Sequence, residues 1–335
     1  MNRFALGLLI GCPLVLPVHA QDPELLMAGR VLPVFDPSRT GFAPGVQLAM
    51  VHTSRRADLP KAWNADAFLA EWCARNPHKV TRSWLGFGLL VKRDVQPAPG
   101  SRIISPGIQV ATHLRTGERS FLSAGIGAHW VDRMTTAPDG AWASQYVNGL
   151  YDPSLASGEV SGTFRSQVVE GSAGLSWTLK QEEESALRRE RELLVVGVSL
   201  DHLGQLVLRD EGGQPETRPW RTMAYVQGEL PMPWNNGYLS GEVIGLLQGP
   251  FHSFRVNAYV GRHLLNSIRR EGGPLPLGYR AGIGYRYRDG LLLSALLDLQ
   301  RLSFGLAHEL PAFRAVDLPT GMRSVEVLAQ LRLSE

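Results

Sequence analysis

Residues Leu277 to Glu335 read LGYRAGIGYRYRDGLLLSALLDLQRLSFGLAHELPAFRAVDLPTGMRSVEVLAQLRLSE. Tyr279, Ala281, Ile283, Tyr285 and Tyr287 fall on one parity, and Arg280, Gly282, Gly284, Arg286 and Arg288 on the other. Neighbours in a strand point to opposite faces, so one face is aromatic and aliphatic and the other is charged or bare backbone. Asp289-Gly290 follows as a two-residue hairpin signal. Leu293, Ala295, Leu297 and Leu299 then oppose Ser294, Asp298 and Gln300. In the last segment Val325, Val327, Ala329, Leu331 and Leu333 oppose Ser324, Glu326, Gln330 and Arg332. This pattern predicts a transmembrane antiparallel β-barrel, apolar toward lipid and polar toward the lumen. A soluble β-sandwich also alternates, so the rest of the chain has to decide between them.

Composition favours the barrel. Hydrophobic residues make up 44% of the 335, yet the mean hydropathy is only −0.08. No stretch after residue 20 has the 18 or so apolar residues in a row of a spanning helix. A barrel reads this way because every second residue can be polar. The 36 glycines and 22 prolines fit many short strands joined by turns. Net charge is +3, and only four of the 34 basic residues are lysines: Lys61, Lys79, Lys92 and Lys180. No basic block has interleaved aromatics, so no nucleic-acid partner is expected. Cys12 lies in the leader and Cys73 is alone after it, which leaves no disulfide framework and no CxxC metal site.

The leader, residues 1–20, has Arg3, an apolar run from Ala5 to Leu16, and Val18-His19-Ala20 as a cleavage site, so the mature chain is expected to begin at Gln21 as one barrel domain, 21–335, in an outer membrane. Leu9-Ile10-Gly11-Cys12 also reads as a short lipobox, although the apolar run continues past Cys12. Residues 21–40 are turn-rich, with Asp22-Pro23 and Asp36-Pro37. Strand patterns follow from Gly45, with Val46, Leu48 and Met50 on one face, and thirteen can be counted to the end of the chain. An even number is usual, so about fourteen strands are expected, with the missing one in Asp22–Phe35, Ala62–Ala74 or 134–166. Residues 134–166 read as a long polar loop, 180–192 as a solvated charged connection and 209–219 as a polar turn. The first of these, with Tyr151, Asp152 and Pro153, is the leading candidate for contact with a partner.

Several stretches, taken in order, resemble the PorP/SprF-like outer-membrane proteins of the type IX secretion and gliding system. They are Gln21-Asp22-Pro23, the turn Phe35-Asp36-Pro37-Ser38-Arg39-Thr40-Gly41, the strand Leu85-Gly86-Phe87-Gly88-Leu89-Leu90-Val91 with Asp94 after it, and Ser123-Ala124-Gly125-Ile126-Gly127-Ala128. Tyr151-Asp152-Pro153, Gly197 to Leu203, Gly282 to Tyr287 and Ser324 to Val327 continue the likeness to the end of the chain. Asp36 stands where the family has Asn, and this chain is richer in Arg. The resemblance implies a non-enzymatic outer-membrane barrel that supports export or surface anchoring of secreted adhesin-like proteins with C-terminal sorting domains. It also implies a periplasmic secretion, gliding or peptidoglycan-binding partner, and no cofactor.

Enzyme motifs are weak. His308-Glu309 has no second His four residues on, and no G-x-S-x-G elbow is present. Gly125-x-Gly127 and Gly282-x-Gly284 lie inside strand patterns and lack the third Gly of a dinucleotide loop. Two alternatives stay open. An outer-membrane lipid hydrolase would need Ser and His on the lipid-facing wall; His129, His202 and His308, with Ser123, Ser199 and Ser303, are available, although strand parity puts Ser199 and Asp201 opposite His202. A diffusion porin would have an open lumen lined by Arg280, Arg286, Arg288, Asp298, Glu326 and Arg332. If the lumen is instead filled, these charges must find partners, because a buried unpaired charge is costly.

Overall fold

Alternating strands without a helix to cover them must satisfy their edges with one another, and in lipid only closure does so completely. In the computed structural model they close as the sequence predicts. The structure describes residues 24–333 apart from 57–61, 75–81, 97–99, 138–145, 148–149, 153, 156–161, 181–191, 211–217, 233–236, 265–276, 288–289, 300 and 312–322. The wall strands are β1 (Val46–Arg56), β2 (Trp63–Cys73), β3 (Ser83–Gln96), β4 (Ser101–Arg115), β5 (Ser120–Ala137), β8 (Gly162–Lys180), β9 (Glu192–Asp210), β10 (Arg221–Pro231), β11 (Gly237–Gln248), β12 (Phe251–Leu264), β13 (Leu277–Arg286), β14 (Gly290–Leu299), β15 (Leu302–Pro311) and β16 (Arg323–Leu333). Each wall strand pairs antiparallel with its sequence neighbours, and β1 pairs with β16 from Val46↔Leu333 to Arg56↔Arg323, so the barrel is closed. A separate two-stranded pair, β6 (Tyr146–Val147) and β7 (Leu150–Tyr151), lies in the β5–β8 connection.

The fourteenth strand is β2, in the Ala62–Ala74 window. The long loop is shorter than its polarity suggests, because β5 runs on to Ala137, β8 begins at Gly162 and β9 reaches Asp210. Where a strand leaves the lipid both faces are wet, so apolar alternation stops although the hydrogen-bonded ladder continues. The reading of Asp289-Gly290 as a two-residue turn is also corrected. The β13–β14 connection is 287–289 and Gly290 opens β14, paired with Arg286. Its lack of a side chain serves packing, since a Cβ there would lie 2.3 Å from the Leu310 carbonyl oxygen.

The outer face is apolar around the whole circumference, with Leu85, Leu89, Ile126, Leu175, Val260, Ile283, Leu306 and Val327 among its exposed residues. Exposed aromatics gather toward the two ends of the strands, with Trp72, Phe87, Tyr279 and Phe304 nearer one end and Trp130, Trp220, Phe254, Tyr285 and Tyr287 nearer the other. An apolar band between aromatic girdles is the exterior of an outer-membrane barrel. The soluble sandwich is thereby excluded.

The lumen is filled by the chain itself. Residues 24–42, with three short 3-10 turns at Ala28–Arg30, Leu32–Val34 and Pro37–Arg39, form a plug. Call the end with Val46 and Leu333 the near end. Glu24 lies at the far end, beside Arg55 and Ser253. The chain descends to Arg30 beside Asp298 and Gln330, rises so that Phe35 meets Arg221, and descends again to Phe42 beside Trp84 and Phe121 before entering β1. Glu24 and Leu333 therefore lie at opposite ends, because the plug traverses the lumen before entering β1.

Candidate functional site: the plugged lumen

Plug and wall share one apolar core. Leu25, Leu26, Met27, Val31, Leu32, Val34 and Phe35 pack with inward residues of the wall, among them Val51, Leu69, Leu90, Met223, Ile244 and Leu328. Burying one such side chain contributes about 1.5–3 kcal/mol. At the near end Phe42 sits in an aromatic seal, 5.8 Å from Trp84 and 5.9 Å from Phe121, with the Arg39 guanidinium 4.4 Å and the Lys180 ammonium 4.7 Å from its ring. Lys180, read from sequence as part of a solvated connection, is therefore buried in the lumen. The remainder of that connection, 181–191, is outside the described residues.

A plug with irregular backbone leaves peptide groups that the wall must satisfy. Glu326, fully buried on β16, accepts from the amides of Leu26 at 2.5 Å and Met27 at 2.6 Å and from the Thr53 hydroxyl at 2.7 Å. Gln227 donates to the Gly29 carbonyl, Gln330 to Arg30 and Gln109 to Pro33, at 2.9–3.0 Å. His113 bridges the Thr40 carbonyl oxygen (2.9 Å) and the Ser123 hydroxyl (2.8 Å). Asp36 accepts from the Ser38 amide at 2.8 Å and the Tyr225 hydroxyl at 2.7 Å. Burial pushes the Asp36 carboxyl above its ordinary range, against those hydrogen bonds. Glu24 goes the other way: burial raises it, but the guanidinium groups of Arg286, Arg255, Arg55 and Arg221 outweigh burial and hold it below the ordinary range.

Two glycines show how close the plug comes. A Cβ at Gly86 would be 1.9 Å from the Thr40 carbonyl oxygen, and one at Gly125 would be 2.4 Å from the Pro37 carbonyl group. Both belong to the Gly-rich strands singled out in the sequence. Of the glycine doublets that resembled half of a dinucleotide loop, Gly125 gives clearance to the plug, whereas Gly127, Gly282 and Gly284 give clearance to Ser172, Tyr259 and Asn257 of the wall.

The predicted lumen charges mostly pair as a filled lumen requires. Arg286 lies 2.9 Å from Glu309 and 3.7 Å from Glu24. Asp298 lies 3.6 Å from Arg30 and accepts from Ser303 at 2.5 Å. Arg280 stacks 5.9 Å from the Tyr259 ring centroid, and Arg332 lies on the inward parity of β16. Arg288 is outside the described residues. Tyr151 closes the small β6–β7 pair, Asp152 accepts from the amide and hydroxyl of Ser154, and Pro153 is outside the described residues.

The hydrolase candidates do not assemble on the outer wall. Ser123, His129, Ser199 and Ser303 are all buried on the luminal side. The parity argument about His202 is corrected by a bulge. Leu203 pairs with Gly171 and Asp201 with Ser172, so His202 is an extra residue, with φ +64°. Asp201 and His202 consequently both turn inward, 7% and 3% exposed, and His202 meets Glu170 at 2.5 Å. Glu170 also lies 3.5 Å from Arg218.

This bulge borders an open space of about 660 Å³, counting its mouth, on the far side of the plug. Leu25, Val34 and Phe35 of the plug and Ala65, Ala67, Ile103 and Val131 of the wall give it an apolar side. Lys92, His129, Glu170, Asp201, His202 and Arg218 give it a polar one. Sequence reading missed both the plug and this space. The signal for the plug was an apolar run, Leu25 to Phe35, that does not alternate.

No family model and no curated protein matches the chain. Solved structures similar to it include the toluene transporter TbuX of Ralstonia pickettii, at 10% identity and TM-score 0.47 over 89% of this chain and 92% of that one. The CymD monoaromatic hydrocarbon channel has 14% identity and TM-score 0.49, over 92% and 93%. The translocator domain of the autotransporter NalP from Neisseria meningitidis has 10% and 0.46, over 92% and 95%. Likenesses at this level carry no argument about what this chain transports or binds. The closed topology and the apolar, aromatic-girdled exterior make it a fourteen-stranded barrel of outer-membrane type.

Proposed function

We propose that this chain is a non-catalytic outer-membrane barrel of the PorP/SprF kind. In that role it supports export or surface anchoring of secreted adhesin-like proteins bearing C-terminal sorting domains, together with a periplasmic partner that binds peptidoglycan. The observation that supports this reading is the plug. A lumen filled by residues 24–42, sharing an apolar core and a set of hydrogen bonds with the wall, is unsuited to free diffusion. Such a barrel works through its rims, loops and outer surface. Three of the stretches that carry the resemblance, Phe35 to Gly41 and those containing Gly86 and Gly125, meet across the plug–wall contact. The test is a gentle-detergent pull-down from the native envelope. Co-purification of a secreted adhesin or a periplasmic peptidoglycan-binding protein is expected, and recovery of the barrel alone would overturn the proposal.

A further inference from the structure

The space beside the bulge has a charge pattern that the plug does not explain. Glu170 is engaged by His202 and Arg218. Asp94 is engaged by Trp63 and Gln96, and Arg221 lies over the Phe35 ring. Two ionic side chains that line the same space are different. Lys92 on β3 and Asp201 on β9 have no hydrogen-bond or ion-pair partner among the described residues, and they are not paired with each other. Asp201 is only 7% exposed. Lys92 is half-buried, so a carboxylate and an ammonium face the open space with their hydrogen-bonding capacity unused, a pattern that a ligand of opposite charges would complement.

Local backbone supports the same conclusion. Without the extra residue His202, regular alternation would put only one of Asp201 and His202 in the lumen. The bulge turns both inward and holds a non-glycine residue in the left-handed region, at a cost of about 1–3 kcal/mol. His202 then locks Glu170 and leaves Asp201 facing the open space. Opposite the charges lie Leu25, Val34, Phe35, Ala65, Ile103 and Val131, a surface for an aliphatic group. The space opens to solvent, which gives a small molecule a way in.

We infer that this luminal space is a binding site for a small zwitterion with an aliphatic side chain, an apolar α-amino acid. Lys92 takes its carboxylate, Asp201 its ammonium, and the Phe35 side of the plug its side chain. The plug thus forms one wall of the site as well as filling the lumen. No covalent step is involved.

The test is isothermal titration calorimetry on the purified barrel in detergent, with L-leucine as probe. Saturable binding is expected. L-leucinamide, which lacks the carboxylate, and 4-methylpentanoate, which lacks the ammonium, are each expected to bind about tenfold or more weakly, and glycine, which lacks the side chain, weakly too. Lys92→Met should abolish the preference for leucine over leucinamide, and Asp201→Asn the preference over 4-methylpentanoate. Heat-modifiable gel mobility checks that each variant is a folded barrel. The comparison of ligands on the unaltered protein decides the matter even if a variant fails to fold. Absence of saturable leucine binding up to about 10 mM, or equal binding of 4-methylpentanoate and leucine, would overturn the inference. So would folded variants that keep both preferences.

Discussion

Glu326→Ala isolates what holds the plug's outer limb. The carboxylate receives two backbone amides and one hydroxyl, all within 2.7 Å, and is fully buried. Removing it leaves the Leu26 and Met27 amides in a dry site. Each unsatisfied group costs about 1–3 kcal/mol, so the pair costs roughly 2–6 kcal/mol. Even the lower figure raises the open population of that limb by about 30-fold. The outer wall is untouched, since Glu326 faces the lumen while its neighbours Val325 and Val327 face out. Amide hydrogen exchange read by mass spectrometry on a peptide covering 24–35 measures the opening directly. A peptide from β15 serves as the internal control. Glu326→Gln keeps one acceptor oxygen and should fall between the two. If protection of 24–35 in a folded Glu326→Ala barrel stays within about threefold of the unaltered protein, the assignment of Glu326 as the anchor is wrong.

Three further outcomes follow from the same contacts. Asp36→Asn keeps an oxygen that accepts from the Ser38 amide, turns the Tyr225 contact into one in which the new NH2 donates to the hydroxyl, and removes a carboxyl whose pKa burial raises; ionising that carboxyl costs stability as pH rises from about 4 through its folded value. The variant should therefore be at least as stable at neutral pH, with a flatter pH profile of thermal unfolding, and a loss of more than about 1 kcal/mol would contradict this. Glu24 is shifted downward, so the stability it contributes is present above the ordinary glutamate range and is lost as pH falls through its lowered value. Exchange at the plug's first residues should accelerate below about pH 4, and Glu24→Gln should remove that acceleration. Gly86→Leu forces a Cβ to within 1.9 Å of the Thr40 carbonyl oxygen, where only backbone movement can relieve the clash. An overpacking cost of about 1–3 kcal/mol should fall on the plug and give ion conductance in planar bilayers above that of the unaltered barrel.

The wall was legible because its physics repeats every two residues. Tyr279 to Arg286 and Val325 to Arg332 each carry an apolar and a polar parity, and the barrel orients both as read. Legibility failed where one face ceased to be lipid. Thr135, Thr136 and Thr163 sit in paired strands although nothing apolar marks them, because beyond the lipid the backbone ladder and polar contacts such as Thr136–Thr163 hold the strands without an apolar face. The plug was hidden for a different reason. Its apolar residues point in several directions into a closed space, so they have neither the two-residue nor the 3.6-residue period. The turn Phe35 to Gly41 was visible as a motif. Its role was not, since its partners Gly86, Gly125, Ser176 and Tyr225 lie on four separate strands.

The candidate site depends on a single inserted residue, and this explains why parity misjudged it. Counting from Leu194, the inward residues of β9 are on the odd parity, and Ser199 and Asp201 obey it. His202 breaks the count with φ +64°, a conformation uncommon for any non-glycine residue and one that strand alternation does not anticipate. The irregularity persists because Glu170 on the neighbouring strand rewards it with a 2.5 Å contact, and Arg218 holds Glu170 from the other side. Deleting His202 should therefore leave Leu203 paired with Gly171 on the outward face and Asp201 paired with Ser172 on the inward one, removing the bulge without turning the residues beyond it. The barrel below the bulge, from Glu192 to Asp201, would keep its register with β10, which spans Leu194 to Asp201 only. A deletion that preserves folding but abolishes leucine binding would tie the site to the bulge, whereas unchanged binding would show that Asp201 alone, without its strained neighbour, is enough.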